Sequence, residues 1–125
     1  MVKQIGTKNM TKYDFGDGKG PVAAHQHVNG GGWVADTAYV ADTAYVGGNA
    51  KVFSKAKVFD NAKVFDNAKV SDNAVVSDNA WVSDNAMIYG NAEVYGNAWV
   101  FDDANISENA KVSGKAKVSG DAKIS

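Results

Sequence analysis

The stretch KVSDNAVVSDNAWVSDNA, residues 69–86, decides the fold of this chain, because it repeats one six-residue unit three times. Each unit places a single aliphatic residue in phase, namely Val70, Val76 and Val82, with an alanine four positions later. The same register runs without insertion over residues 34–124, so that sixteen aliphatic residues share one phase. Repetition at a fixed period over most of a chain is the sequence signature of a repeat architecture.

The six-residue period excludes a helix and favours very short strands. Six is not a multiple of the helical turn, and a turn pair recurs too often for a helix to nucleate. A meander of antiparallel strands needs longer strands to be stable. β-Branched valine suits a strand, with valine and alanine on its inward face. The pair Asp-Asn or Gly-Asn then forms the corner, where we expect the asparagine to take the left-handed backbone conformation.

The residue that follows each aliphatic position predicts how many units complete one coil. It alternates between small and aromatic side chains in blocks of three: Ala35, Ala41, Gly47; Phe53, Phe59, Phe65; Ser71, Ser77, Ser83; Tyr89, Tyr95, Phe101; and Ser107, Ser113, Ser119. Such blocks are expected if each layer of an 18-residue coil carries one residue type on all three faces. Five coils over residues 33–122 then form a prism ~24 Å tall, from the ~4.8 Å spacing of stacked strands.

This unit resembles the hexapeptide repeat of left-handed parallel β-helices. The resemblance covers residues 33–125, and we extend it to a degenerate unit, HVNGGG at residues 27–32, because Val28 is in register. It implies an all-β fold, a left-handed parallel β-helix shaped as a triangular prism of about five 18-residue coils. We expect residues 1–32 to form an irregular N-terminal cap and residues 33–125 to form the β-helix.

Composition narrows the classes of function that need to be considered. The 125 residues suffice for one domain, and the net charge is −1, so no global field attracts nucleic acid or an anionic membrane. Cysteine is absent, which excludes a disulfide framework and thiolate metal sites. Arginine is absent as well, which removes the usual bidentate clamp for carboxylate and phosphate groups.

No segment of the sequence predicts export or insertion into a membrane. The N-terminal residues MVKQIGTKNM lack the apolar stretch of a signal peptide, and no run is apolar enough to span a bilayer. We therefore expect a cytoplasmic protein, located in the host cell cytoplasm if a phage encodes it, without a membrane partner.

Because the inside of the prism is filled by valine and alanine, function is expected on its outer surfaces. Every third unit belongs to one face, which brings together five residues that we call the aromatic strip: Tyr45, Phe65, Trp81, Trp99 and Phe101. An exposed strip of this kind on a small protein indicates an interface. The alternative is that the aromatic rings simply cover the serines and glycines beside them.

Lysines next to aromatic residues also allow a ligand site. Stacking together with positive charge is how proteins hold nucleotides, and the candidate ligand-binding residues are Trp81, Trp99, Lys63, Tyr45, His25, His27 and Asn29. The ligand would be a small nucleotide or another small anion. The alternative for the lysine ring of Lys51, Lys57 and Lys63 is a solvated collar, partly neutralised by nearby aspartates. The net charge and the lack of a nucleic-acid motif argue against long nucleic acids.

The stretch HQHVNGGGW, residues 25–33, allows either a metal site or a structural cap. His25 and His27 would lie on one side of a strand, but a metal site requires a third ligand, for which Asp14, Asp17 or a residue of a neighbouring chain are candidates. The three glycines at residues 30–32 predict a tight turn. We favour the cap, with no metal and no cofactor.

Enzymes of the hexapeptide family, acyltransferases and zinc-dependent carbonic anhydrases, are trimers with active sites between neighbouring prisms. Their sites use a histidine and loops that interrupt the coils, whereas here no loop interrupts residues 33–125 and no histidine follows His27. The sequence also contains no Ser-His-Asp or Cys-His arrangement, since the many serines have no base near them in sequence. The segment AHQHVNGGGWVADTA, residues 24–38, is similar to small hexapeptide-repeat proteins of phages and prophages.

Three hypotheses follow from the sequence. The first is a non-catalytic homotrimeric binding or structural module, from a phage or a bacterium. The second is a protein that binds a small nucleotide between subunits, such as a phage anti-defence sponge that sequesters a nucleotide immune signal. The third is a diverged acyltransferase that uses His25 or His27.

At the C-terminal end, AKIS at residues 122–125 leaves a strand edge that we expect further chain or another copy to cover.

Overall fold

The computed structural model describes residues 11–125, and these contain strands and turns but no helix. No part of this described segment forms a helix that is long and apolar enough to span a membrane. The strands are β1 Lys12–Asp14, β2 Pro21–Gln26, β3 Trp33–Ala35, β4 Tyr39–Val40, β5 Tyr45–Val46, β6 Lys51–Val52, β7 Lys57–Val58, β8 Lys63–Val64, β9 Lys69–Val70, β10 Val75–Val76, β11 Trp81–Val82, β12 Met87–Ile88, β13 Glu93–Val94, β14 Trp99–Val100, β15 Asn105–Ile106, β16 Lys111–Val112, β17 Lys117–Val118 and β18 Lys123–Ile124.

From β3 onward the strands form a β-solenoid of about five turns, as the sequence predicts. Each strand pairs in parallel with the strand 18 residues later, for example Val76 with Val94. Three sheets result: the first contains β1-β2-β3-β6-β9-β12-β15-β18, the second β4-β7-β10-β13-β16, and the third β5-β8-β11-β14-β17. Three six-residue units therefore complete one coil.

The core consists of the aliphatic and alanine positions of the repeat. From Val46 to Ile106 every aliphatic position is fully buried, and the alanines between them are buried as well. These residues form one continuous cluster that extends along the solenoid from Val34 to Val112. The inward assignment of valine and alanine is confirmed from Val46 to Ile106, whereas Ala116 and Ile124 of the last coil are exposed. Function therefore has to be sought on the outer faces, the corners and the N-terminal segment.

The corners differ from the sequence prediction in one respect. The left-handed residue is not the asparagine but the residue before it, such as Asp72 (φ 58°) or Gly90 (φ 65°). Aspartate fits this position because its carboxylate bonds to the next coil: Asp72 Oδ2 accepts from the Gly90 N–H at 3.0 Å. The same bond joins Asp84 to the Asp102 N–H at 3.0 Å. Aspartate tolerates left-handed backbone better than most residues and gains a hydrogen bond there.

We predict that substitutions at Asp84 rank by how many of these two roles they keep. Asp84→Asn keeps both roles and should stay close to the wild type, whereas Asp84→Gly loses only the acceptor. Asp84→Ala loses both, and should cost ~2 kcal/mol from ~1 kcal/mol for the bond and ~1 kcal/mol for left-handed backbone. Urea unfolding gives the three free energies. An alanine variant as stable as the wild type would contradict this account of the corners.

The first coil solves its corners in another way. At two of its three corners Asp-Thr replaces Asp-Asn, and neither Asp36 nor Asp42 has a positive φ. In later coils a main-chain N–H at the corner donates to the next coil, as Asn61 does to the Asp78 carbonyl. In the first coil the Thr43 hydroxyl donates to the Asp60 carbonyl instead, at 2.6 Å. A side-chain hydroxyl thus replaces the main-chain donor where the stack of coils begins.

Residues 11–32, the described part of the predicted N-terminal cap, are more regular than we expected, while residues 1–10 of that cap lie outside the described residues. Strands β1 and β2 form an antiparallel hairpin, and β2 pairs antiparallel with β3, extending the first sheet. The hairpin also packs Tyr13 on Trp33 and Phe15 on Phe53, with stacked rings 4.6 and 5.0 Å apart between centroids. Within residues 11–32, irregular backbone is therefore confined to the links between the strands, because the edge of β3 offers hydrogen-bonding groups that a strand satisfies.

Residues 27–32 do not form the degenerate repeat unit that we expected. Val28 is 79% exposed, so its agreement with the register is not matched by an inward position. This segment is instead a turn that crosses the edge of β5: the Gly32 N–H donates to the Val46 carbonyl, and the Val46 N–H donates to the Asn29 carbonyl. Gly30 has a φ of 115°, and a Cβ there would collide with the Val46 carbonyl oxygen. The predicted tight glycine turn is confirmed.

Candidate functional site

The third sheet carries the aromatic strip on its outer face, because its strands contribute one outward residue on each side of every buried valine. Tyr45 lies on β5, Trp81 on β11 and Trp99 on β14, while Phe65 and Phe101 follow β8 and β14. The structure therefore places all five residues of the aromatic strip on one sheet, as the six-residue period predicts. Of the five side chains, Trp81 and Trp99 are the most exposed, at 37% and 39%.

The two tryptophans form a stacked pair. Trp81 and Trp99 are direct register partners on β11 and β14. Their ring centroids are 4.9 Å apart and their planes differ by 3°. This separation matches the ~4.8 Å between neighbouring strands, so the sheet itself sets the stacking distance. The indole rings therefore stand parallel along the solenoid axis and present their edges outward.

Other side chains flank this pair on both sides. Phe65, from the preceding coil, meets Trp81 edge to face at 5.9 Å between centroids. Lys117, from the following coil, places its Nζ 5.2 Å from the centre of the Trp99 ring. A cation at this distance interacts favourably with the ring face. Because the stacked pair covers one face of each indole and Lys117 lies over the Trp99 ring, the strip offers mainly ring edges to a planar base.

The lysine ring of the second coil does not converge on one point. Lys51, Lys57 and Lys63 lie on β6, β7 and β8, which belong to the first, second and third sheets. Only Lys63 adjoins the aromatic strip, as the register partner of Trp81. Lys51 instead places its Nζ 5.6 Å from the centre of the Tyr13 ring of the hairpin. This arrangement resembles the solvated collar more closely than a phosphate cradle.

The two histidines have different partners and different exposure. His25, on β2, is exposed, and its Nδ1 lies 2.7 Å from Asp36 Oδ1. His27 is buried at 5% exposure, and its Nε2 lies 2.9 Å from the Ala44 carbonyl oxygen, to which it donates. Together with Asn29, whose carbonyl accepts from Val46, His27 attaches the glycine turn to the edge of the third sheet. His25 and His27 thus both bond the N-terminal segment to the first coil.

The proposed third metal ligands are also engaged elsewhere. Asp14 Oδ1 accepts from the Gly16 N–H at 2.9 Å, and Asp17 Oδ1 accepts from the Lys19 N–H at 3.0 Å. Among residues 11–125 no three histidine, cysteine or acidic side chains are grouped so that they could hold a metal ion. The positions of the two imidazole rings are thus explained by their hydrogen bonds within the N-terminal segment and to the first coil.

We predict opposite outcomes for the two histidine substitutions. His27→Ala should destabilise the protein by ~1–3 kcal/mol, because it leaves the buried Ala44 carbonyl without its donor and opens a cavity. His25→Ala should change stability by less than ~0.5 kcal/mol, since exposed pairs contribute little. Thermal melting compares the two variants. Metal analysis of protein purified without chelator is the control, and a stoichiometric transition metal that both substitutions remove would overturn this interpretation.

Comparison with known proteins adds one similarity. Residues 68–84 match a family model described as the YdcK Beta solenoid repeat. The match lies in the third coil and includes Trp81, so this segment is a YdcK-type β-solenoid repeat. No curated protein and no solved structure matches the chain. The similarity therefore supports the solenoid and leaves function to the geometry of the surface.

One concave surface was missed by the sequence analysis. It lies between the loop that joins β1 to β2 and the corner that joins the first sheet to the second, and we call it the hairpin cleft. Its volume is about 600 Å³, and its lining includes Phe15, Lys19, Phe53 and Lys55. The alternation of Tyr13 and Phe15 before the glycine-rich loop is the signal that could have revealed the hairpin.

Proposed function

We propose that the protein is a non-catalytic homotrimeric β-solenoid, a binding or structural module whose subunits associate through the aromatic strip. The observation that carries the proposal is the stacked pair of Trp81 and Trp99, which remains more than one third exposed. Large aromatic side chains are enriched in interfaces and contribute most of the binding energy there. A rigid pair, already ordered by its own stacking, also loses little conformational entropy on association.

A closed trimer explains the position of the strip better than an open assembly. The strip follows one sheet along the solenoid axis, so a threefold axis parallel to it lets each copy bury the same residues. Closed cyclic symmetry covers such a surface without producing fibres. The lack of loops between the coils leaves this face flat from Tyr45 to Trp99, which suits side-by-side packing of prisms.

The alternative is a site for a small nucleotide between neighbouring subunits. Its support is Lys63, which adjoins Trp81 in the register of the third sheet. Against it stand the stacking of the two indoles on each other and the position of Lys117 over the Trp99 ring, because nucleotide sites of this type use a free ring face for stacking. A catalytic role has less support, since His25 and His27 are both engaged in contacts with the first coil.

Light scattering on the full chain tests the proposal. We expect a mass three times that of the 13.2 kDa chain at micromolar concentration. A monomer under these conditions would refute the trimer. Thermal shift with ATP as the probe tests the alternative, because a ligand at one hundred times its Kd raises stability by ~2.7 kcal/mol.

A further inference from the structure

We propose that the hairpin cleft binds a small organic anion with an apolar body, such as an arylalkyl carboxylate. The cleft has a volume of about 600 Å³. Sites for small ligands in proteins are concave, ~300–1,000 Å³ in size and largely apolar, with a few polar groups that fix orientation. The cleft fits this description by its size and, as follows, by its lining.

The floor of the cleft is apolar and rigid. Phe15 and Phe53 stack on each other at 5.0 Å with an interplanar angle of 16°, and both are buried. Ala35 is buried beside them, and Val22 packs against the same cluster. The floor is thus formed by a small hydrophobic cluster that is separate from the core of the solenoid. An apolar ligand body placed on it would lose contact with water without any rearrangement of the protein.

The rim of the cleft carries three carboxylates, which accept hydrogen bonds and keep their charge, and two lysine ammonium groups. Asp17 accepts from the Lys19 N–H, Asp36 from His25, and Asp72 from the Gly90 N–H. Within the described part of the chain the one ion pair joins His25 to Asp36, so the ammonium groups of Lys19 and Lys55 have no carboxylate partner there. A ligand carboxylate that reaches either ammonium group would receive charge-assisted hydrogen bonds.

The cleft is independent of the proposed trimer. It lies at the corner between the first and second sheets, whereas the aromatic strip lies on the third sheet, which is opposite this corner in a three-sided coil. Association through the third sheet therefore leaves the cleft open. The inference does not rest on the proposed function, and its test has a separate outcome.

Isothermal titration calorimetry with 3-phenylpropionate as the probe tests this proposal on the full-length protein. We expect saturable binding that is at least tenfold tighter than that of 3-phenylpropanamide, which has the same ring without the charge, and of 2-phenylethylammonium, which reverses the charge. In ¹⁵N spectra the probe should shift the backbone amides of Ser54 and Lys55 and leave the indole N–H signals of Trp81 and Trp99 unchanged.

Two variants separate the contributions of charge and shape. Lys19→Gln with Lys55→Gln should weaken probe binding at least tenfold, whereas Lys57→Gln with Lys111→Gln, two exposed lysines of the second sheet, should leave it unchanged. Ala23→Trp, on the exposed side of β2 that lines the cleft, should block binding while both lysines remain. The proposal is overturned if the wild type shows no saturable binding, if the amide or the amine binds as tightly, or if the shifts occur at the tryptophans. Equal weakening by both lysine pairs would also overturn it.

Discussion

Val76→Asp is expected to abolish folding. Val76 is fully buried in the third of five coils, with Val58 and Val94 as its partners above and below. The substitution removes ~1.5–3 kcal/mol of hydrophobic burial, and an unpaired charge in the core costs several kcal/mol more. Single domains are stable by only ~5–15 kcal/mol. Circular dichroism and thermal melting should therefore show an unfolded or aggregated chain.

The neighbouring valine provides a matched control. Val75 belongs to the same two-residue strand but points outward and is only half-buried. Val75→Asp makes the same chemical change on the opposite face, between Lys57 and Glu93 on the two adjacent strands, whose charges offset each other. It should cost less than ~1 kcal/mol, because surface substitutions have small effects. If the two variants melt alike, the division of the coil into inner and outer positions is refuted.

Trp81→Lys combined with Trp99→Lys is expected to convert the proposed trimer into folded monomers. Both side chains would be central in the proposed interface, and truncating such a residue typically costs more than ~2 kcal/mol of binding free energy. Six added charges around the threefold axis would also repel one another. Light scattering should report a mass of one chain, while circular dichroism and the melting cooperativity should match those of the wild type.

Two exposed apolar residues on the other sheets provide the control for this pair. Tyr39 on the second sheet is 56% exposed and Met87 on the first sheet is 37% exposed. Tyr39→Lys with Met87→Lys adds the same charge without touching the aromatic strip, so this variant should remain trimeric. A Trp81/Trp99 variant that is still trimeric would move the interface to another sheet.

The fold was predictable from sequence because a six-residue register determines nearly every contact. Val76 and Val94 are partners for the same reason that Val70 and Ile88 are, so identifying the 18-residue period determines the sheets and the core. The aromatic strip followed from the same arithmetic. Its internal geometry did not, since stacking of Trp81 on Trp99 depends on side-chain rotamers that periodicity does not specify.

The N-terminal segment does not contain the repeat, so its structure was harder to predict from the sequence. Val28 matched the register by chance, and the pattern did not reveal that the glycine turn after it would cross the edge of β5. The hairpin cleft depends on the packing of Phe15 against Phe53, residues 38 positions apart, and no repeat relates them. At the corners, both Asp and Asn tolerate left-handed backbone, so the sequence did not show which residue of each pair adopts it; the first one does, and there the Asp72 side chain accepts a hydrogen bond from the Gly90 N–H of the next coil.

The identical inward pattern of all three faces determines what an insertion or a deletion does to this protein. Because all three faces share one inward pattern, removing residues 87–92, a single unit, should leave the core filled and the coils stacked. Every later residue would nevertheless turn by one face, so that Trp99 would move from the third sheet to the second and the tryptophan pair would be separated. A whole-coil deletion changes only the height. An insertion or deletion of whole six-residue units therefore rearranges the outer surface of this protein, unless its length is a multiple of eighteen residues. In that case only the number of coils changes.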